Sequence, residues 1–101
     1  MDTGRTRAAR ALAWYYRRNG YVRRQDTDRI ANEGPQQYKK GDEVRLVAST
    51  VEELRLVRRL LREAGFKPGR PFRKGRQYRQ PVYGRQAVAR FLEAVESEGG
   101  A

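Results

Sequence analysis

The chain has 101 residues, 38% of them apolar; that is enough for one small core, and Leu, Val, Tyr and Ala recur too regularly for long disorder. It contains neither Cys nor His, which excludes disulfide scaffolds, thiol catalysis, Cys-based zinc sites and the commonest acid–base group. No apolar run approaches the roughly 20 residues that span a bilayer, and no signal peptide is expected at the N-terminus. The net charge of +11 is the dominant feature, and a cytoplasmic protein is expected, associated with the nucleoid if the host is bacterial.

Residues 5–18 read as a helix, with Ala8, Ala9, Ala11, Leu12, Ala13, Tyr15 and Tyr16 giving a broad apolar surface at helical spacing. Thr3 is a candidate cap, Arg17 and Arg18 suit the last turn, and Asn19-Gly20 ends the helix because both residues tolerate the left-handed conformation. Residues 21–30 are expected to pair with 38–48 around Asn32-Glu33-Gly34-Pro35. Within the second of these segments Val44, Leu46 and Ala48 alternate with Glu43, Arg45 and Val47, the pattern of a half-buried strand.

A second helix follows. Ser49-x-x-Glu52 and Thr50-x-x-Glu53 are both capping boxes, Val51, Leu54, Val57, Leu60, Leu61 and Ala64 form one face, and Gly65 with Pro68 ends the helix. Arg55, Arg58, Arg59 and Arg62 fall on the other face and are expected to be solvated. Lys74-Gly75-Arg76 reads as the turn of a hairpin joining 69–73 to 77–83, with Tyr78, Gln80 and Val82 alternating with Arg79, Pro81 and Tyr83. Pro81 suggests an edge position or a bulge. The third helix runs from Gln86 to Glu96 on Val88, Phe91, Leu92 and Val95. Residues 1–97 thus form a single domain and 98–101 a flexible tail, with fraying from Ser97 onward. The expected fold is α+β: an antiparallel four-stranded sheet with helices on one face, in the order α-β-β-α-β-β-α.

The charge is unevenly placed. Residues 1–25 carry seven Arg and one Asp, residues 26–63 balance eight basic against eight acidic groups, and residues 64–92 carry eight basic groups and no acid. A block without counter-ions points to a polyanion partner. It lies in a Gly/Pro/Tyr-rich stretch rather than on a basic amphipathic helix, so a membrane is not expected. If Val44, Leu46, Tyr78 and Val82 face the helices, then Arg45, Gln77, Arg79 and Tyr83 face outward, joined on the first hairpin by Arg23, Gln25, Thr27 and Arg29. Arg, Gln and Tyr on an acid-poor sheet face are suited to hold phosphates and read base edges, and a two-stranded ribbon fits the major groove. The candidate nucleic-acid contacts are Arg23, Gln25, Arg29, Lys39, Lys40, Arg45, Arg70, Arg73, Lys74, Arg76, Gln77, Arg79, Tyr83 and Arg85.

The end of the first helix, Leu12-Ala13-Trp14-Tyr15-Tyr16-Arg17-Arg18-Asn19-Gly20, resembles the nine-residue LAGLIDADG motif of homing endonucleases, with Leu12, Ala13 and Gly20 identical. The resemblance extends over residues 8–95, through the strand Glu43 to Ala48, the capped helix ending in Gly65-Phe66, the basic hairpin, and Val82-Tyr83-Gly84-Arg85 leading to Phe91-Leu92. It implies a saddle-shaped sheet in the DNA major groove and a homodimer that completes the saddle. The motif is degenerate. Arg17 and Asn19 stand at its two acidic positions, and an amide is a far poorer ligand for Mg²⁺ than a carboxylate. The chain also stops soon after the third helix, without the family's later elements. The resemblance therefore implies a nuclease fold kept for binding, with no catalytic residues, no metal and no cofactor. Trp14 stands at the motif's first Gly position and is too large for close helix packing; it is expected to anchor a wider interface or to sit in the monomer core, the core being the favoured place.

Duplex DNA is thus the favoured partner. The alternative is an RNA-binding or ribosome-associated protein whose exposed Tyr stack on unpaired bases. An active nuclease would need other carboxylates, and Asp26, Asp28, Asp42 and Glu43 form no recognised metal spacing. A helix-turn-helix is excluded because no helix follows Gly65 within three or four residues.

Overall fold

A computed structural model describes residues 3–24 and 41–99. The elements are α1 (Thr3–Asn19), β1 (Tyr21–Arg23), β2 (Glu43–Ala48), α2 (Val51–Glu63), β3 (Phe72–Lys74), β4 (Gln77–Tyr83) and α3 (Arg85–Gly99). The strands form one antiparallel sheet in the order β1-β2-β4-β3. The expected α+β order is therefore observed, although β1 and β3 are short and residues 25–40 lie outside the described residues.

All three helices pack on one face of the sheet. Leu12 and Ala13 of α1, Val44 and Leu46 of β2, Val57 and Leu61 of α2, Val82 of β4 and Val88 and Phe91 of α3 meet in one core. Phe91 is fully buried and takes edge contacts from Tyr16 at 5.7 Å and Phe66 at 5.5 Å between ring centroids.

Local chemistry explains the helix ends. Thr50 caps α2 by accepting from the Glu53 N–H at 3.0 Å. Glu53 reaches back to the Ser49 N–H at 2.9 Å rather than to Thr50, so the two overlapping boxes resolve into one shared cap. At the other end the Phe66 N–H donates to Leu61 O and the Gly65 N–H to Arg62 O, with Gly65 at φ +92°. That is a Schellman motif, and only glycine enters the left-handed region without strain. The end of α1 differs from expectation. Neither Asn19 nor Gly20 has positive φ. Gly20 is needed for space instead, because a Cβ there would lie 2.7 Å from the Tyr16 ring. Thr3 is already helical rather than a cap, and α3 continues to Gly99 past the expected end, with Ser97 donating to Glu93 O. Val51, expected on the apolar face of α2, is 39% exposed in the helix's first turn.

Pro81 lies in a central strand, not at an edge. β3 begins only at Phe72, opposite Arg79, so the side of β4 on which Pro81 lacks a donor faces the chain ahead of β3 and carries no ladder bond from it. Gly69 N–H donates there to Pro81 O at 2.8 Å, and proline supplies the acceptor without needing an N–H. Arg58 also departs from expectation. It is half-buried and donates to Gly69 O at 2.9 Å and to the Gln80 side-chain oxygen at 2.7 Å. The fully buried Gln80 amide donates to Gly69 O and Pro81 O, both at 2.8 Å.

Trp14 is not in the core: it is 58% exposed. The period of α1 turns it away from the buried Leu12 and Ala13. Truncating Phe91→Ala is therefore expected to cost about 3–5 kcal/mol, whereas Trp14→Ala is expected to cost less than about 1 kcal/mol. Equilibrium urea unfolding of the two variants checks this, and equal losses would place Trp14 in the stability core after all.

Candidate nucleic-acid interface

The strand registers decide which side chains share the face turned away from the helices. Val44 pairs with Val82 and Leu46 with Gln80 on the helix side, so Arg45 opposite Pro81, Val47 opposite Arg79 and Glu43 opposite Tyr83 point outward. β1 adds Tyr21 and Arg23, and β3 adds Phe72 opposite Arg79 and Lys74 opposite Gln77. Six expected contacts, Arg23, Arg45, Lys74, Gln77, Arg79 and Tyr83, are thus brought to one face.

The others are distributed differently. Arg73 has the opposite parity: it pairs with Tyr78, and its guanidinium lies 5.9 Å from that ring's centroid on the helix side. A strand alternates faces, so Phe72 and Lys74 cannot point outward together with Arg73. Arg76 sits exposed in the two-residue turn beside Gly75 (φ +63°), Arg70 is exposed ahead of β3, and Arg85 opens α3, off the sheet. Gln25, Thr27, Arg29, Lys39 and Lys40 lie outside the described residues.

The outer face is less open and less uniformly basic than its sequence implied. Val47 and Pro81 at its centre are buried. Glu43 is bound by the Arg45 guanidinium through two hydrogen bonds of 3.0 and 3.2 Å, and the two side chains keep only 12% and 14% of their surface exposed. A bidentate pair fixes the plane of the guanidinium, and Arg45 in turn lies 4.9 Å from the Phe72 ring centroid. Tyr83 packs over Gly69, where a Cβ would come within 2.5 Å of its ring. Arg79 donates to the Gln77 side-chain oxygen at 3.1 Å, while its buried Nε has no hydrogen-bond partner among the described residues. The exposed cations Arg23, Lys74 and Arg76 stand around this packed centre.

Tyr21 and Phe72 were not among the expected contacts. Their parity was legible, but only the structure shows Tyr21 opposite Arg45 in the register and the Phe72 ring against the Arg45 guanidinium. Burial alone would raise the Tyr21 phenol, yet its hydrogen bonds to Arg45 and Arg79 outweigh burial and hold it below the usual tyrosine value of 10.0.

The motif residues lie elsewhere. Leu12 and Ala13 are core, and Asn19 is exposed at the end of α1. Arg17 donates to Val95 O at 3.1 Å. Arg18 donates to Glu53 at 2.7 Å and to Val47 O at 3.1 Å, and its bond holds the Glu53 carboxyl below the usual glutamate value. Among the described residues no group of three or more carboxylates could hold a metal ion, and no helix is long and apolar enough to cross a membrane.

The Tyr21 arrangement has a direct readout. In a ring-carbon NMR titration Tyr21 is expected to ionise below 10.0, and Arg79→Gln or Arg45→Gln is expected to move that midpoint upward. An unchanged midpoint in both variants would mean that the guanidiniums do not act on the phenol.

No protein-family model, no curated protein and no solved structure matches the chain.

Proposed function

We propose that the protein binds nucleic acid, duplex DNA in preference to RNA, through the outer face of its sheet, as a LAGLIDADG-like domain without nuclease chemistry. One observation carries this reading. Arg79 and Gln77 stand together on the outer face beside the Phe72 ring, next to an Arg45 that Glu43 already holds, and the exposed Arg23, Lys74 and Arg76 lie at the rim. Rim cations suit phosphates, which position a protein without reading sequence, and an oriented Arg with Gln suits base edges. Binding in a nucleic-acid-containing compartment, without cofactor, follows from the same reading. The three half-buried rings Tyr21, Phe72 and Tyr83 favour RNA as the second reading, because aromatic side chains on a sheet stack on unpaired bases.

Titration of random duplex DNA is expected to show log K falling against log salt with a slope of roughly −5 if about six phosphates are contacted. Arg23→Glu with Lys74→Glu is expected to weaken binding at least about tenfold and to reduce the slope by about 2. Arg55→Glu with Arg62→Glu on α2 is expected to change little. Salt-independent affinity, or no binding at low salt, removes the reading, and structured RNA outcompeting duplex at fixed salt selects the second one.

Supercoiled plasmid is expected to remain intact with Mg²⁺ or Mn²⁺. Phosphodiester hydrolysis of this kind needs a metal held by carboxylates beside the scissile bond, and the motif positions offer Arg17 and Asn19. Asn19→Asp alone is not expected to create activity, since Arg17 and Arg18 remain beside it. Metal-dependent cutting lost on mutating one acidic residue would make the protein an enzyme.

A further inference from the structure

The helix side carries a second cationic surface that the sheet reading does not use. α1 contains five arginines and no acidic residue between Thr3 and Asn19. At 100° per residue, Ala8, Leu12, Ala13 and Tyr15 face the core, while Arg7, Arg10, Trp14 and Arg17 share the opposite side, all exposed. Trp14 is the most exposed large apolar side chain among the described residues, at 58%. It is nevertheless held in place. Its ring meets Tyr15 edge-on at 4.9 Å, and the Arg18 guanidinium, anchored on Glu53 and Val47 O, lies 5.0 Å from its centroid.

We infer that this ridge is a contact surface for single-stranded nucleic acid, in which Arg7, Arg10 and Arg17 hold phosphates and Trp14 stacks on an unpaired base. The inference rests on the nucleic-acid reading above but concerns a separate surface. The charge favours a polyanion: α1 carries five arginines and no acidic residue, and Arg7, Arg10 and Arg17 keep their side chains exposed along one side of it. A lipid surface is the poorer occupant: an interfacial helix buries several apolar side chains, and here the apolar face of α1 is already in the core. A second copy is the occupant that the resemblance itself would place on the motif helix, but the bulk of Trp14 prevents close helix packing and pairing there would bring Arg10 and Arg17 of one molecule near those of the other. The strand is single because bases in a duplex already stack on one another, whereas an unpaired base presents its face to an aromatic ring. From Arg7 to Arg17 the ridge runs about 15 Å, long enough to place phosphate contacts on either side of the indole.

Trp14 is the sole tryptophan, so its emission reports on the ridge directly. Oligo-dT of about 15 nucleotides, a matched duplex and vesicles containing an anionic phospholipid are titrated into the full chain at low salt. Oligo-dT is expected to quench Trp14 saturably, with recovery on adding salt. Trp14→Ala is expected to weaken oligo-dT binding roughly tenfold, with Trp14→Phe retaining most of it. Arg7→Glu with Arg10→Glu is expected to weaken oligo-dT binding while leaving duplex binding near wild type, with circular dichroism confirming the fold. Arg23→Glu with Lys74→Glu should do the reverse; if it leaves duplex binding untouched, the sheet reading fails while quenching by oligo-dT still supports the ridge. Absence of quenching by oligo-dT, a response to vesicles alone, or sedimentation showing a dimer that Trp14→Ala dissociates would each overturn the inference.

Discussion

The buried amide of Gln80 joins three separate parts of this domain. It accepts from Arg58 on α2 and donates to Gly69 O and Pro81 O. A polar group with no exposed surface is tolerable only when its bonds are made, and here they tie a helix, a loop and a central strand together. Gly69 is thereby fixed along β4 ahead of β3, and Pro81 can occupy a central strand without an orphaned neighbour. Removing Arg58 would leave the fully buried Gln80 side-chain oxygen without its donor, whereas Arg58 would keep its bond to Gly69 O if Gln80 were lost.

The outer face inherits its form from that arrangement. Because Gly69 is held close, Tyr83 can lie over it and Pro81 can fill the centre of the sheet. The cations then divide into two kinds. Arg45 and Arg79 are oriented by Glu43, Gln77, Tyr21 and Phe72, while Arg23, Lys74 and Arg76 reach into water at the rim. Oriented guanidiniums suit recognition and solvated cations suit long-range attraction. α1 repeats the same division on the helix side, with Arg18 anchored on Glu53 and Arg7 and Arg10 exposed.

Much of this was legible in the sequence, because it depends on neighbours close along the chain. The periods of the three helices, the strand Glu43–Ala48, the Thr50 cap, the Gly65 stop and the turn at Gly75 each need only a few consecutive residues. The outward parity of Arg45, Gln77 and Arg79 was likewise a consequence of alternation along each strand.

What the sequence could not determine depends on pairings between distant residues. The register of β3 against β4 sent Arg73 to the helix side, and the late start of β3 at Phe72 made a central position acceptable for Pro81. Arg58 looked solvated from its place on α2 but meets Gln80, 22 positions away. Glu43 looked like an ordinary strand residue but neutralises part of the outer face through Arg45. Trp14 shows the same limit most plainly. Composition favours burying an indole, yet the helical period sets Trp14 among the arginines, opposite Ala8, Leu12, Ala13 and Tyr15, and the packing of three helices on one sheet decides that this side stays exposed.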